Sequence, residues 1–299
     1  MEMAQTKIIM KSKKTIAAIL TLCLSSPVIY SQQISWSRTK MDASRTEVKA
    51  ASSKDIDKTL GKIEGNVYLS PGGKTFKKNK GCTYDVAKAL IDAQDKMEEV
   101  KTVIGYSKAP MERKYPESEL SNWFVDELMK SCASKTGKKV DVGIANFGGI
   151  RIDMPGGNIL LDDMLSMFPF KNSVCYVALK GKYLREILEN MAASSFQALG
   201  GVRCEAKDKK LISATIDGEP IEDEKIYGVC TISFLLYGGD GISVAKNAEE
   251  LIDTKVYVID VVLPRVKELY KEGRPLEYKM DGRVKIYAAD GSLIPPAKL

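Results

Sequence analysis

The sequence has no histidine among its 299 residues. A catalytic metal centre that relies on imidazole ligands is therefore excluded for this chain. Cysteine offers no substitute, because the six cysteines are scattered and none has the C-x-x-C spacing of a metal knuckle. Five of them lie beyond the N-terminal region: Cys82, Cys132, Cys175, Cys204 and Cys230. Their odd number leaves at least one free thiol, any pairing stays open, and several are expected in the core.

Long hydrophobic runs are missing as well. An apolar run at residues 15–24 is too short to span a bilayer. Lysines precede this run and small or turn-forming residues follow it, which is the layout of a secretory signal peptide. We therefore predict a signal peptide at residues 1–31, an exported protein of the periplasm or cell envelope, and no transmembrane segment after cleavage. The bulky Leu22 before Cys23 argues against a lipid anchor at that cysteine.

The chain also lacks a strong excess of one charge. Its formal net charge is +6, and removal of residues 1–31 takes away four lysines and one glutamate, which lowers the charge to +3. This mild balance gives no reason to expect nucleic acid or an acidic membrane surface as a partner. The basic clusters at 77–80 and 207–210 are interpreted as solvated loops.

Helical and strand patterns alternate along most of the chain. We predict a polar lead-in at 32–82 with one strand near 66–69, one domain at 83–290, and a C-terminal tail at 291–299. Apolar spacing predicts helices at 83–100, 117–132, 159–168, 182–192 and 254–271, and strands at 140–146, 173–179, 211–216, 226–233 and 284–287. Such mixed strands with outer helices favour a layered α/β domain of mixed α+β type.

The first two predicted helices each carry an apolar stripe at helical spacing. In the first helix the stripe is formed by Val86, Ala89, Leu90, Ala93, Met97 and Val100. Thr83 is its predicted N-cap. In the second helix the stripe is formed by Leu120, Trp123, Phe124 and Leu128. Both stripes are expected to face the core.

Three short segments could contact a ligand, and the first is Asn146–Arg151, which follows a predicted strand. Gly148 and Gly149 let the backbone approach a ligand closely, since they carry no Cβ. Arg151 offers a planar fork suited to two phosphate or carboxylate oxygens. The alternative is a tight turn with Arg151 in a surface ion pair.

The second segment is Phe168-Pro169-Phe170, between a predicted helix and a predicted strand. Pro169 fixes the local backbone and disfavours helix at Phe168. Phe170 could then be presented to a ligand, although an aromatic side chain in the core is the alternative.

The third segment runs from Phe234 to a glycine-rich loop around Asp240. Glycines such as Gly239 allow the backbone to bend sharply and to place a carboxylate. Asp240 could accept hydrogen bonds from the two hydroxyls of a ribose. The alternative is a glycine turn in which Asp240 caps its own backbone.

Together and in this order, the three segments resemble the C-terminal, substrate-binding domain of the 5'-nucleotidase and UDP-sugar hydrolase family. Gly181, Leu184 and Leu188 also match the G-x-x-L-x-x-x-L helix of that domain. The resemblance covers roughly residues 84–290 and implies a nucleotide-binding domain of mixed sheets with outer helices. It implies these contacts: base stacking by Phe170 and Phe234, a hydrogen bond to the base from Asn146, ribose binding by Asp240, phosphate binding by Arg151, and ligand-facing turns at Gly148, Gly149 and Gly239.

The sequence departs from the family pattern at one phosphate contact. Glu117 and Asn122 match the E-x-x-x-x-N run, but Pro116 stands where the family commonly has an arginine. Tight phosphate binding is therefore in doubt, although Arg113 or Lys114 could substitute in part.

The catalytic half of the family pattern is absent. Its D-x-H and G-N-H-[DE] motifs hold two metals, whereas this chain has Gly65-Asn66 followed by Val67. The resemblance thus implies no catalytic or metal-binding residue and no cofactor here, and divalent metals on a separate metallophosphatase chain. We predict an exported nucleotide-recognition domain or subunit of a split 5'-nucleotidase. The alternatives are a non-catalytic nucleoside- or nucleotide-binding envelope protein and a structural envelope protein. Whether the chain is an enzyme, its oligomeric state, and the choice of nucleotide or UDP-sugar stay open.

Overall fold

The computed structural model describes residues 56–299. The predicted signal peptide, Cys23 and the first part of the lead-in lie outside the described residues. The helices are α1 (Ile56–Thr59), α2 (Thr83–Met97), α3 (Glu119–Thr136), α4 (Leu161–Met167), α5 (Gly181–Ala193) and α6 (Val258–Lys271). The strands are β1 (Lys62–Glu64), β2 (Val67–Leu69), β3 (Thr75–Lys77), β4 (Val103–Ser107), β5 (Lys114–Tyr115), β6 (Val142–Ala145), β7 (Gly157–Leu160), β8 (Ser173–Lys180), β9 (Ala198–Gly200), β10 (Val202–Lys207), β11 (Lys210–Ile216), β12 (Glu219–Pro220), β13 (Ile226–Ile232), β14 (Glu250–Tyr257), β15 (Val284–Tyr287) and β16 (Ala297–Lys298).

A five-stranded mixed sheet forms the centre of the domain, in the order β14-β8-β13-β6-β9. Strand β13 runs parallel to β6 and antiparallel to β8, so Thr231 lies opposite both Ile144 and Cys175. The carboxyl ends of β6 and β13 and the amino end of β8 therefore lie side by side. We call this row of strand ends the sheet edge; it is not one of the outer strands of the sheet.

Helices and a second sheet cover the central sheet. Helix α3 packs on β6, β8, β9, β13 and β14, while α5 packs on β8 and on the four-stranded sheet β12-β11-β10-β15. Strand β8 is buried along nearly its whole length, as expected for a strand covered on both faces. The mixed, layered architecture predicted from the sequence is confirmed.

Helix α3 begins and ends with recognisable caps. Ser118 accepts a hydrogen bond from the Ser121 amide, and the Ser121 hydroxyl accepts one from the Ser118 amide. The helix ends at Gly137, which adopts a left-handed φ of 68°. The predicted range 117–132 was therefore displaced by a few residues, although the predicted stripe, including Trp123 and Leu128, is buried.

Two predicted helices were too long at their amino ends. Residues 157–160 form β7, which pairs with β4, and only then does α4 begin at Leu161. Residues 250–257 form β14 on the edge of the central sheet, so the predicted helix at 254–271 begins instead at Val258. In both cases pairing with a neighbouring strand decides the conformation, which spacing of apolar residues does not reveal.

The lead-in contains more regular structure than predicted. Strands β1, β2 and β3 form an antiparallel meander that includes the expected strand at 67–69. Helix α2 follows, but Cys82 rather than Thr83 occupies the N-cap position, and it makes no side-chain capping bond. The helix presents Val86 and Leu90 to solvent, at 54% and 51% exposure, so its predicted apolar stripe does not face the core.

The C-terminal tail is part of the domain. Strand β16 pairs with β5, and the Leu299 amide donates to the Arg113 carbonyl oxygen at 3.0 Å. The Lys298 ammonium contacts Glu112 at 2.5 Å and Asp153 at 3.2 Å. Strand β15, which matches the strand predicted at 284–287, lies at the edge of the four-stranded sheet.

The five cysteines of residues 56–299 are free thiols. Cys82 is exposed, and the other four are buried, which confirms the expectation for the core. Burial raises the pKa of Cys175 to about 11 and that of Cys204 to about 12, so both thiols stay protonated at neutral pH. No helix within residues 56–299 is long and apolar enough to cross a membrane.

Candidate functional site

The three candidate segments meet at one edge of the central sheet. Asn146 directly follows β6, and Phe234 lies in the turn that follows β13. Phe170 lies just before β8, whose amino end is at the same edge. Segments far apart in sequence are thus neighbours, because β13 pairs with both β6 and β8.

Asn146 opens a 3-10 turn at Phe147–Gly149. Its side-chain Nδ2 donates a hydrogen bond to Asp240 Oδ2 at 3.0 Å, which joins the first segment to the third. A Cβ on Gly149 would lie 2.8 Å from Asn146 Oδ1, so a side chain there would have to displace the Asn146 amide. Gln197 holds the turn from behind by accepting from the Phe147 amide at 3.2 Å. Gln197 lies 50 residues after Phe147 in the sequence, so the sequence gave no indication of this contact.

The loop around Asp240 combines several left-handed residues. Gly238 and Gly241 have φ values of 107° and 75°, and Asp240 itself has a φ of 50°. A Cβ on Gly239 would lie 2.1 Å from the Phe234 carbonyl oxygen and 2.8 Å from its ring. Glycine at this position therefore lets the loop pack directly against Phe234.

Phe170 and Phe234 both present their rings to solvent, at 46% and 44% exposure. Neither ring stacks on another aromatic ring in the described part of the chain. Phe168, two residues before Phe170, is buried and stacks on Phe124 with ring centroids 4.9 Å apart. Pro169 thus separates a core aromatic side chain from an exposed one, and Phe170 is not the core residue of the alternative interpretation.

Arg151 lies beside Phe170. Its guanidinium carbon is 5.8 Å from the centre of the Phe170 ring, and its Nη1 donates to the Gly148 carbonyl oxygen at 3.2 Å. No carboxylate among residues 56–299 pairs with it, so the surface ion pair of the alternative interpretation is not formed. Most of its donors remain available to an anion.

The two possible substitutes for the missing arginine are differently engaged. Arg113 donates from its backbone amide and from Nε to Asp153 Oδ1, both at 3.0 Å, and from Nη1 to the Ile150 carbonyl oxygen at 3.2 Å. Burial alone would raise the pKa of Asp153, but the bonds from Arg113 and Lys298 outweigh it and lower that pKa. Lys114 lies 4.0 Å from Glu112. Arg113 mainly braces the segment before Arg151.

Glu117 and Asn122 are buried and hydrogen-bond to each other and to residues 279–282. Glu117 Oε1 accepts from Asn122 Nδ2 at 2.7 Å and from the amides of Asp281 and Gly282 at 2.8 and 3.1 Å. Asn122 Nδ2 also donates to the Lys279 carbonyl oxygen. The E-x-x-x-x-N part of the pattern therefore joins the start of α3 to the loop before β15.

Comparison with known sequences agrees with this arrangement. A sequence model of the family described as 5'-nucleotidase, C-terminal domain, matches residues 103–247. This segment is a 5'-nucleotidase C-terminal domain. Protein UshA of Salmonella pullorum is 31% identical over 155 residues, which cover 50% of this chain and 27% of that protein. NAD 5'-nucleotidase of Haemophilus influenzae is 28% identical over 177 residues, 52% of this chain and 28% of that protein. The chain thus spans little more than a quarter of the length of these relatives.

Solved structures show the same fold. The 5'-nucleotidase precursor of Thermus thermophilus aligns with a TM-score of 0.59 and 23% identity over 74% of this chain and 48% of that chain. The NAD nucleotidase of Haemophilus influenzae aligns with a TM-score of 0.53 and 19% identity over 75% of this chain and 48% of that chain. The predicted resemblance in fold is confirmed.

The described residues do not fit the two-metal centre on which the family's catalysis depends. The sequence supplies no histidine. Among residues 56–299, no group of three or more cysteine, aspartate or glutamate side chains could hold a metal ion. We therefore derive no hydrolytic step for this 5'-nucleotidase C-terminal domain.

Proposed function

We propose that this 5'-nucleotidase C-terminal domain binds a nucleotide at the sheet edge and serves an exported, split 5'-nucleotidase whose metal centre lies on another chain. The observation that carries this proposal is that four kinds of group meet at a single edge: two exposed phenylalanines, one hydrogen-bonded amide–carboxylate pair, and one arginine that has no carboxylate partner among residues 56–299. Each group matches one part of a nucleotide: the rings match the base, Asp240 the ribose, and Arg151 the phosphate.

The aromatic pair supports base binding. A base inserted between Phe170 and Phe234 would cover two rings that are half exposed, and stacking contributes about 1–3 kcal/mol per base in related sites. Stacking is tolerant of base identity because every base has a π-face. The one nucleotide that the name of a relative specifies is NAD, in the NAD 5'-nucleotidase of Haemophilus influenzae, and it carries two bases.

Calorimetric titration with adenosine and AMP tests the proposal. Phe170→Ala and Phe234→Ala should each weaken binding of both ligands by about 1–3 kcal/mol. Tyr270→Ala is the matched control, because Tyr270 is an aromatic side chain of similar exposure on α6. Unchanged affinity in both folded phenylalanine variants would contradict the stacking role.

The phosphate is tested with the same two ligands. AMP should bind more tightly than adenosine, by about 1.5 kcal/mol for one charge-assisted contact, and Arg151→Ala should abolish the difference. Arg274→Ala is the control, since Arg274 is a surface arginine paired with Glu272. Equal affinity for AMP and adenosine in the unmutated protein would mean that this domain does not hold the phosphate.

The split organisation also predicts that this protein has no hydrolytic activity on its own. Purified protein should release no phosphate from AMP with Mg²⁺, Mn²⁺, Co²⁺ or Zn²⁺, because the ligand set of the two-metal centre is missing. A chelator-sensitive activity that co-purifies with the chain would contradict this. A neighbouring gene that encodes a G-N-H-[DE] motif would identify the catalytic partner to test.

A further inference from the structure

Three of the four buried cysteines lie in the same part of the core. Cys132 is on α3, at 0% exposure, and Cys230 is on β13, at 1% exposure. Cys175 is on β8, the strand that pairs with β13. Nucleotide binding at the sheet edge uses none of these thiols.

The register of the strands decides which two of the three thiols meet. Cys230 lies opposite Tyr176 in the pairing of β13 with β8, so their side chains are on one face of the sheet. Cys175 is next to Tyr176, and successive side chains of a strand alternate between faces. The Cys175 thiol is therefore on the other face, where its Sγ lies 3.8 Å from Ser173 Oγ.

Helix α3 brings Cys132 to the face of the sheet that carries Cys230. The thiols of Cys132 and Cys230 are in hydrogen-bond contact with each other. With Cys175, by contrast, Cys132 makes a backbone contact, in which its Sγ donates to the Cys175 carbonyl oxygen at 3.8 Å. Cys132 and Cys230 are thus the two thiols that are placed for a covalent bond.

We propose that Cys132 and Cys230 form a disulfide in the mature protein and so fasten α3 to β13, the middle strand of the central sheet. The bond closes a loop of about 100 residues, and a loop of this length strongly constrains the unfolded chain. The predicted export favours it, since disulfides form and persist in oxidising compartments. Cys175 and Cys204 remain thiols.

The reaction is an exchange with the disulfide of an external oxidant, such as oxidised glutathione or a thiol oxidoreductase. The thiolate of one cysteine attacks the disulfide of the oxidant, and one oxidant sulfur leaves and takes up a proton. The thiolate of the other cysteine then attacks the mixed disulfide, and the second oxidant sulfur leaves in the same way. Two cysteine sulfurs are oxidised, and one oxidant disulfide is reduced to two thiols that carry the two protons.

This exchange has to take place before the core closes. In the folded protein both sulfurs are buried, and burial raises the pKa of Cys230 well above its usual value, so the thiolate that attacks is scarce. Burial likewise raises the pKa of Cys175 to about 11, which hinders attack by this third thiol on the finished bond. The disulfide therefore forms while the chain folds in the presence of an oxidant, and a chain that folds without one keeps both thiols.

Refolding with and without an oxidant tests the proposal. The purified protein is reduced and unfolded in urea, and one sample is refolded with reduced and oxidised glutathione, the other with a reductant alone. After free thiols are blocked, a tryptic digest of the oxidised sample should contain peptides 131–135 and 226–246 joined together, with a mass two hydrogen atoms below their sum. The oxidised sample should melt about 4–16 °C higher than the reduced one.

Four variants distinguish this pair from the other buried thiols. Cys132→Ala and Cys230→Ala should each lose the joined peptides and the difference in melting temperature between the two samples. Cys175→Ala and Cys204→Ala are the matched controls, because they also remove buried cysteines from strands, and both should keep the joined peptides. Each variant is compared with itself under two conditions, so destabilisation by the substitution does not enter the result. The peptides of the unmutated protein decide the matter if a variant does not fold.

Three outcomes would overturn the proposal. Free thiols at both positions in a folded, oxidised sample would leave Cys132 and Cys230 as small apolar residues of the core. Peptides that join either of them to Cys175 or Cys82 would establish a different pair. Recovery of the fold in the reductant alone would show that the bond is incompatible with the core. None of these measurements uses a nucleotide, so they leave the proposed nucleotide binding unaffected.

Discussion

Helices α2 and α3 carry similar apolar stripes, but the stripe of α3 is buried and that of α2 is exposed to solvent. In α3 the stripe that contains Leu120 and Leu128 is fully buried against the central sheet. In α2 the stripe that contains Val86 and Leu90 faces solvent, while Tyr84 and the polar Gln94 are buried. Apolar periodicity therefore predicted both helices, but it predicted the buried face of only one.

The difference follows from what each helix has to pack against. Helix α3 lies across five strands of a sheet, which offers a large apolar surface. Helix α2 packs on the small meander β1–β3, where the Tyr84 hydroxyl donates to the Gly65 carbonyl oxygen. Gln94 donates to the Leu90 carbonyl oxygen within α2 itself. The direction of a helix face is thus decided by the partner surface as well as by the pattern of the helix itself.

The largest effect is expected in the stripe of α3. Leu128→Ala removes a side chain that is 1% exposed and leaves a cavity between α3 and the central sheet, which should cost about 2–5 kcal/mol of unfolding free energy. Urea denaturation followed by circular dichroism measures the loss. A cost below about 1 kcal/mol would show that this helix face is not closely packed.

A smaller effect is expected where α3 begins. Glu117→Ala leaves the amides of Asp281 and Gly282 without their acceptor, which should cost about 1–3 kcal/mol. The control is Glu277→Ala, which removes only a surface ion pair with Lys108. Equal stability of the two variants would mean that Glu117 does not anchor the helix, so that only the cap formed by Ser118 and Ser121 would distinguish the start of α3 from the uncapped start of α2.

The smallest effect is expected in the stripe of α2. Leu90 is 51% exposed, so Leu90→Ala should change the unfolding free energy by no more than about 0.5 kcal/mol. The same urea titration used for Leu128→Ala compares the two leucines directly. A loss comparable to that of Leu128→Ala would break the comparison, because it would place Leu90 against a surface that covers α2.

The positions of the three candidate segments were more predictable than the ends of the helices and strands. The motifs at Asn146, Phe170 and Asp240 each pointed to a ligand-facing segment, and their common sheet edge follows once β6, β8 and β13 are known to be neighbours. The ligand contacts assigned to them stay predictions. The hydrogen bond between Asn146 and Asp240 could not be foreseen, because it depends on two loop conformations that are set by tertiary contacts.

The misplaced elements share a physical cause. Strands β7 and β14 occupy positions where the apolar spacing suits a helix, and each is stabilised by pairing with a strand that is distant in sequence. The three residues of β9 were too few to give a pattern, yet they pair with β6. Local periodicity contains no information about such pairings, which is why strands at sheet edges were missed.

The hydrogen bond between the Leu299 amide and the Arg113 carbonyl oxygen affects the order in which parts of the domain can form. Synthesis proceeds from the amino end, so residues 297–299 are added after all the residues of α3, β6 and the sheet-edge site. Strand β5 can gain its partner β16, and the Asp153 carboxylate can gain Lys298, only after those residues follow. Contacts of such long sequence separation slow folding. Arg113, which donates to the Ile150 carbonyl oxygen beside Arg151, therefore gains its last backbone partner only when residues 297–299 dock.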